Sequence, residues 1–354
     1  MKFGRTLQEL AVELTRQNEA KRDFIVNMNA VSMDCSAQGI GLHRYLDDGN
    51  SDMEGFGASD LFHRQLGDKL MIPARYYDRM RTEYPSLLSE NVNSWLGRGD
   101  SRHTVRTLDG TARAFLSDRY RRIDNWEIAQ SVLPVISEMK DARVESCEIT
   151  ENRMFIKVVN PRLEMDVVPG DTVQAGIIIS NSEVGLGAVS VMPLLFRLVC
   201  ANGMGVNDYG KRKYHVGAQI EESWELFSDA TLQADDTAFM LKLADIVRSA
   251  VDEARFGVIV DKLRESVGAK ISAPVATVVE LTAKQYGFTA TENDGILQHL
   301  ITGGDLSLYG LANAVTRTAN DMETYERATE LETIGWQIAT MENRVWRELN
   351  EVTA

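Results

Sequence analysis

The sequence predicts an α+β protein with a helical N-terminal segment, a central mostly antiparallel sheet with one packed helix, and a helical C-terminal region. Three observations predict this class. Apolar residues recur at helical spacing in residues 1–100, short Ile/Val-rich runs bounded by Gly and Pro fill residues 101–216, and helical spacing returns in residues 217–354. We therefore expect three parts with these boundaries.

The N-terminal segment contains the spacing of short amphipathic helices. The first is predicted within Phe3–Arg22, and the polar, Gly-rich stretch Asp47–Gly57 is expected to form a loop. Ser59 is suited to cap a second helix, Pro73 to open a third, and Ser86–Leu96 to form a fourth. A compact cluster of short helices is expected over Ser59–Leu96.

The central part changes to the pattern of strands. Asp109-Gly110 is a dipeptide typical of two-residue hairpin turns, and it separates His103–Leu108 from Thr111–Ser117. A helix is predicted over Asn125–Met139. Further strands are predicted at Val144–Thr150, Arg153–Asn160, Gln174–Asn181, Ala188–Met192 and Leu195–Ala201.

The C-terminal part contains helical patterns and no predicted strand. The run Ile220–Val267 is longer than one globular helix usually needs, so a break is expected near Ala234–Asp236. Further helices are predicted at Pro274–Tyr286, Thr291–Ile301, Asp305–Thr318 and Met322–Leu349.

The formal charge is unevenly distributed. The chain carries 38 Lys and Arg against 52 Asp and Glu, a net charge of −14. Residues 1–100 carry 12 against 15, residues 101–216 carry 15 against 14, and residues 217–354 carry 11 against 23, so the net charges are −3, +1 and −12. The acidity belongs mainly to the helical C-terminal region, so it does not argue against nucleic-acid binding by the near-neutral centre.

Enzyme and metal motifs are missing from the sequence. It contains no HExxH, GxxxxGK[ST] or GxSxG, its five histidines are isolated, and its three cysteines form no CxxC pair. We expect no metal and no cofactor, and the sequence favours a non-enzymatic protein. No signal peptide or apolar run of ~20 residues is present, so a cytoplasmic protein without a membrane segment is expected.

Two basic clusters in the central part are the candidate binding residues. The first basic cluster is Arg119, Tyr120, Arg121 and Arg122, and the second basic cluster is Lys211, Arg212, Lys213 and Tyr214. Cations interleaved with aromatic rings suit single-stranded nucleic acid, because the cations neutralise phosphates and the rings stack on bases. Arg102, His103, Arg106 and Arg113 are expected to extend the same surface.

A purely structural role is the alternative for these residues. In the first basic cluster, the arginines could pair with nearby acids such as Asp118 or Asp124, and Tyr120 could be a core aromatic with a bonded hydroxyl. The second basic cluster has Asp208 as its one local acid, which favours a functional role. Both interpretations stay open for the first cluster.

Several strings resemble a phage- and plasmid-encoded family known as domain of unknown function 932, or phage/plasmid-like proteins. The most specific string is Leu108–Asn125, which reads LDGTARAFLSDRYRRIDN; the others are Phe196–Met204, Gly310–Arg317 and, upstream, Leu70–Tyr77. The resemblance spans roughly residues 59–339. It implies a mobile-element protein in the cytoplasm of a bacterial host, where single-strand annealing proteins are common, and at fold level an analogy to ring-forming annealing proteins.

The leading hypothesis is therefore a phage- or plasmid-encoded single-stranded DNA binding or annealing accessory protein that forms a homo-oligomer. The alternative is a non-enzymatic interaction protein that binds a basic host factor through the acidic helical region.

Overall fold

The computed structural model describes residues 1–45, 51–120, 123–207, 211–213, 229–249 and 253–350. Over these residues the fold is α+β, as predicted, and contains two six-stranded sheets. The first sheet lies in the N-terminal half of the chain, and the second is formed by later strands and covered by helices from the C-terminal region.

The first sheet packs against the predicted helical cluster. Its strands are β1 (Arg22–Asn27), β2 (Val31–Met33), β3 (Gly39–Tyr45), β4 (Ser51–Ala58), β5 (Arg102–Leu108) and β6 (Thr111–Ser117). Their order is β1-β5-β6-β4-β3-β2, and β4 and β6 run parallel while the other neighbours are antiparallel. Helices α2 (Asp60–Lys69), α3 (Ala74–Glu83) and α4 (Pro85–Leu96) pack on this sheet, whereas α1 (Leu7–Ala20) packs in the core of the second sheet.

Local signals in this region are confirmed. The Ser59 hydroxyl accepts a hydrogen bond from the Phe62 N–H at 3.1 Å and so caps α2. The hairpin turn has positive φ at both Asp109 (51°) and Gly110 (73°), the conformation that favours this dipeptide.

Two expectations for this region are wrong. Strand β4 (Ser51–Ala58) takes up most of the expected loop Asp47–Gly57. Cross-strand pairing with β3 and burial of Phe56 stabilise this stretch, although its local composition resembles a loop. The hairpin β5-β6 pairs with β1 and β4 in the first sheet, and not with the later strands as expected. The boundary at residue 100 therefore falls between elements of one sheet.

The second sheet is antiparallel. Its strands are β7 (Arg143–Ile149), β8 (Met154–Val168), β9 (Asp171–Asn181), β10 (Val189–Arg197), β11 (Asn202–Gly205) and β12 (Lys211–Lys213). The order is β11-β10-β9-β8-β7, and β12 also pairs with β10. Helix α5 (Asn125–Glu138) packs against this sheet, which agrees with the predicted sheet and single packed helix.

Strand β10 continues through Pro193, although the sequence predicts two separate runs there. Strand β12 pairs with Val189–Val191, and β11 pairs with Leu194–Arg197. Pro193 lies between these two pairing segments, and it has no N–H to offer a third strand. The proline therefore separates the two partners of β10 without ending the strand.

The C-terminal region is helical, as predicted. Its helices are α6 (Asp229–Ser249), α7 (Glu253–Gly268), α8 (Val275–Tyr286), α9 (Ala290–Gly303), α10 (Leu308–Thr318), α11 (Tyr325–Ala339) and α12 (Asn343–Asn350). The break expected near Ala234–Asp236 is wrong, because Ala234 and Asp235 lie on the exposed side of a continuous α6. The single helix expected over Met322–Leu349 is two helices, since α11 ends at Ala339.

One hydrophobic core joins this helical region to the second sheet. Val173, Ala175 and Leu195 of the sheet are buried against residues of α7–α12, such as Leu263 and Trp336. A fragment that begins near Ala218 would expose this apolar surface to water. Any activity of the acidic region should therefore be measured in the full-length chain.

Candidate nucleic-acid interface

The first basic cluster lies in the connection between β6 and α5. Arg119 is exposed, and its backbone N–H donates to the Ser117 hydroxyl at 3.2 Å. The Tyr120 hydroxyl donates to the Ser182 carbonyl at 3.0 Å, and its ring packs against Ala114, Leu116 and Val184. Burial raises the pKa of Tyr120, so the phenol stays protonated as a donor. Tyr120 thus ties this connection to the end of β9.

Part of the candidate set lies outside the described residues. This holds for Arg121, Arg122 and Tyr214. The backbone of Lys211–Lys213 forms β12, with Arg212 opposite Ser190 of β10.

The sheet register relates β12 to the residue that anchors Tyr120. Arg212 is opposite Ser190, and Ser190 is opposite Ser180 of β9. Ser182, which accepts the Tyr120 hydrogen bond, follows two residues after Ser180. Two strand spacings separate β12 from β9, or roughly 10 Å. Strand β12 and the Ser182 carbonyl that anchors Tyr120 therefore lie at the same end of the second sheet.

A buried charge network lies beneath the first basic cluster. The Arg106 side chain is fully buried and donates to both carboxylate oxygens of Asp23 at 3.0 Å. It also donates to Asp124 at 2.5 Å and to the Glu183 carbonyl at 2.9 Å, and Lys21 donates to the same Asp124 carboxylate. Burial alone would raise the pKa of Asp124, but Arg106 and Lys21 outweigh it and hold the pKa below its ordinary value. The network joins β1 and β5 of the first sheet to the start of α5.

Glu183, which follows β9, connects β6 of the first sheet to the start of α5. One of its carboxylate oxygens accepts from Arg113 at 2.5 Å, and the other accepts from the Asn125 N–H at 2.7 Å. Arg113 and Arg106 thus point into paired, buried sites, and His103 is buried with its ring stacked on Phe115. The expectation that these three side chains extend the basic surface is wrong, because each satisfies a partner inside the protein; Arg102 is exposed.

Sequence reasoning misses this network although one local signal for it exists. The spacing of Asp124 and Glu127 matches a capping box at the start of α5, and the Asp124 N–H donates to Glu127 at 3.2 Å. That signal places Asp124 at a helix end. It does not reveal Arg106 or Glu183, which are distant in sequence.

The central segment agrees with the predicted family. Residues 114–218 match the family model described as domain of unknown function (DUF932). The resemblance is confirmed over this segment, which is less than a third of the chain and includes both basic clusters, β7–β12 and the Phe196–Met204 string. The strings Leu70–Tyr77 and Gly310–Arg317 lie outside the DUF932 match. No curated protein and no solved structure matches the chain.

Two further observations concern metals and membranes. Among the described residues, no group of three or more His, Cys, Asp or Glu side chains is arranged to hold a metal ion. In the same part of the chain, no helix combines the length and the apolar character that crossing a membrane requires.

Proposed function

We propose that this protein binds single-stranded nucleic acid through its DUF932 segment, as a DNA-binding or annealing accessory protein of a phage or plasmid in a bacterial host. The observation that supports the proposal is the register of the second sheet, in which β12 and the Ser182 carbonyl that anchors Tyr120 lie at the same end. Assembly into a homo-oligomer is part of the proposal.

Electrostatics and rigidity support this assignment. Arg119 is exposed and forms no ion pair with another described residue, so its charge is available to a phosphate. The connection that carries it is held by Tyr120 on one side and by the Asp124 network on the other. An anchored backbone loses less conformational freedom on binding than a mobile one. Tyr120 in this account positions the loop, since its ring packs inside the protein.

The first prediction concerns the second basic cluster. Replacing Lys211, Arg212 and Lys213 together with alanine is expected to weaken binding of fluorescein-labelled oligo-dT at low salt by at least tenfold. Each lost phosphate contact removes about 0.7 from the slope of log K against log salt, so the slope should become less steep by about 2. Fluorescence anisotropy measures both quantities.

The matched control removes the same charge elsewhere. Lys284, Arg344 and Arg347 are exposed cations of α8 and α12. Their triple replacement with alanine changes the net charge equally but should leave the salt slope unchanged. Equal losses in both triple variants would mean that net charge alone drives binding, and no binding by the unmodified protein at low salt would refute the proposal.

A further inference from the structure

Two family-like strings that the proposed function leaves unused meet in space. They are Phe196–Met204, at the end of β10 and the start of β11, and Gly310–Arg317 of α10. The Arg317 guanidinium donates to the Cys200 carbonyl at 3.4 Å. Their junction encloses a cavity of about 190 Å³, whose polar lining includes Arg197, Cys200, His299, Asp305, Asn313 and Arg317.

Most charges around this cavity are neutralised in pairs. Arg197 donates to both carboxylate oxygens of Asp171, at 2.6 and 2.7 Å. Asp305 pairs with Lys270 at 3.3 Å. The His299 ring nitrogen lies 2.8 Å from an Asp321 oxygen. The Arg197–Asp171 and Lys270–Asp305 pairs leave little net charge of their own in the cavity wall, and His299 is held by its hydrogen bond to Asp321.

Arg317 is the exception. Residues Leu308–Thr318 of α10 are buried apart from Arg317, which is exposed. Its guanidinium forms no ion pair with any described carboxylate, although residues 217–354 carry 23 acids against 11 bases. Its contact with the Cys200 carbonyl is long, so most of its five N–H donors are free for a ligand. Among the described residues, Arg317 is therefore a cavity-lining cation without an ion-pair partner.

We propose that this cavity binds a phosphate group, with Arg317 as its principal ligand. Arginine presents planar paired donors that match a phosphate, and the paired neighbours shape the site without cancelling the Arg317 charge. The cavity is smaller than the ~300–1,000 Å³ of ordinary small-molecule pockets, which favours one compact group over a large ligand.

This site is separate from the proposed nucleic-acid interface. Strand β12 pairs with β10 up to Val191, whereas Arg197 lies six residues further along β10, roughly 20 Å away. The phosphate could belong to a free phosphomonoester or to a nucleic-acid backbone. The site does not depend on the proposed function, because a free phosphate would satisfy the same donors.

Cys200 provides a reporter inside the cavity. Among the three cysteines, Cys35 is exposed, Cys147 is buried and Cys200 is half-buried. In a full-length Cys35→Ser protein, the neutral reagent iodoacetamide should therefore alkylate Cys200 before Cys147, as followed by mass spectrometry. Inorganic phosphate, thymidine monophosphate and oligo-dT are each added at constant ionic strength, with chloride as the reference anion.

The expected result is a saturable slowing of Cys200 alkylation by at least threefold. Arg317→Gln should abolish the slowing, whereas Arg344→Gln, at an exposed arginine of α12, should retain it. Protection by phosphate or the monophosphate assigns a free ligand, and protection by oligo-dT alone assigns the backbone. No protection by any of the three probes, or equal protection in Arg317→Gln, would overturn the proposal.

Discussion

Replacing Glu332 with alanine is expected to lower the free energy of unfolding by about 3–5 kcal/mol, one of the two largest effects expected for a single substitution in this protein. Glu332 of α11 accepts from Lys157 of β8 at 2.6 Å, and both side chains are fully buried. The Lys157 ammonium also lies 4.5 Å from the centre of the Tyr325 ring. Burial lowers the pKa of Lys157, and Glu332 opposes that shift. Without Glu332 the ammonium is left in an apolar interior.

A double variant separates the loss of pairing from the loss of packing. Lys157→Met with Glu332→Leu removes both charges while it keeps most of the volume, so it should recover most of the stability lost in Glu332→Ala. Urea unfolding followed by circular dichroism measures each free energy. If Glu332→Ala costs less than ~1 kcal/mol, or if the double variant is less stable than the single one, the buried pair does not act as described.

Arg106→Ala is expected to have a comparable effect, about 3–5 kcal/mol. The substitution leaves Asp23, Asp124 and the Glu183 carbonyl without their shared donor. These groups join the two sheets beneath the first basic cluster. The matched control is Arg102→Ala, an exposed position on the same strand β5, which should change stability by less than ~1 kcal/mol.

The contribution of Arg106 to the free energy of unfolding should decrease at low pH. Arg106 and Lys21 hold the folded-state pKa of Asp124 below its ordinary value of 3.8, so the pairing stabilises the fold above that pH. This stability is lost as pH falls through the folded-state pKa. The difference between the unmodified protein and Arg106→Ala should therefore be largest near pH 7 and should shrink below pH ~4. A difference that stays constant down to pH 3 would contradict the assignment.

The sequence predicts those elements that local chemistry determines. The Ser59 cap, the Asp109-Gly110 turn and the start of α5 at Asn125 each depend on residues within a few positions of one another. The helices α8–α10 are predicted for the same reason, because their apolar faces follow the helical period.

Long-range pairing explains what the sequence does not predict. Strand β1 lies between two segments that are predicted to be helical. It gains its stability from β5, about 80 residues later. The continuity of β10 through Pro193 depends on β9, which pairs along its length. No local pattern contains either partner.

The candidate site also combines residues that the sequence identifies with partners that only the fold brings together. The sequence identifies Arg119 and Lys211–Lys213 as members of two basic clusters, but it cannot distinguish them from Arg106 and Arg113. The distinction depends on Asp23 and Glu183, whose carboxylates are brought to these arginines by the assembled sheets. The cavity beside Arg317 is likewise formed by strings more than 100 residues apart.

The most direct test of the central claim is to locate the nucleic acid on the full-length protein. Oligo-dT containing 4-thiothymidine is bound at low salt, irradiated and digested, and the crosslinked peptides are identified by mass spectrometry. The proposed interface predicts crosslinks within residues 117–124 and 208–217, both of which disappear when unlabelled oligo-dT competes. Crosslinks confined to the helices between residues 229 and 350, with none in those two segments, would contradict it.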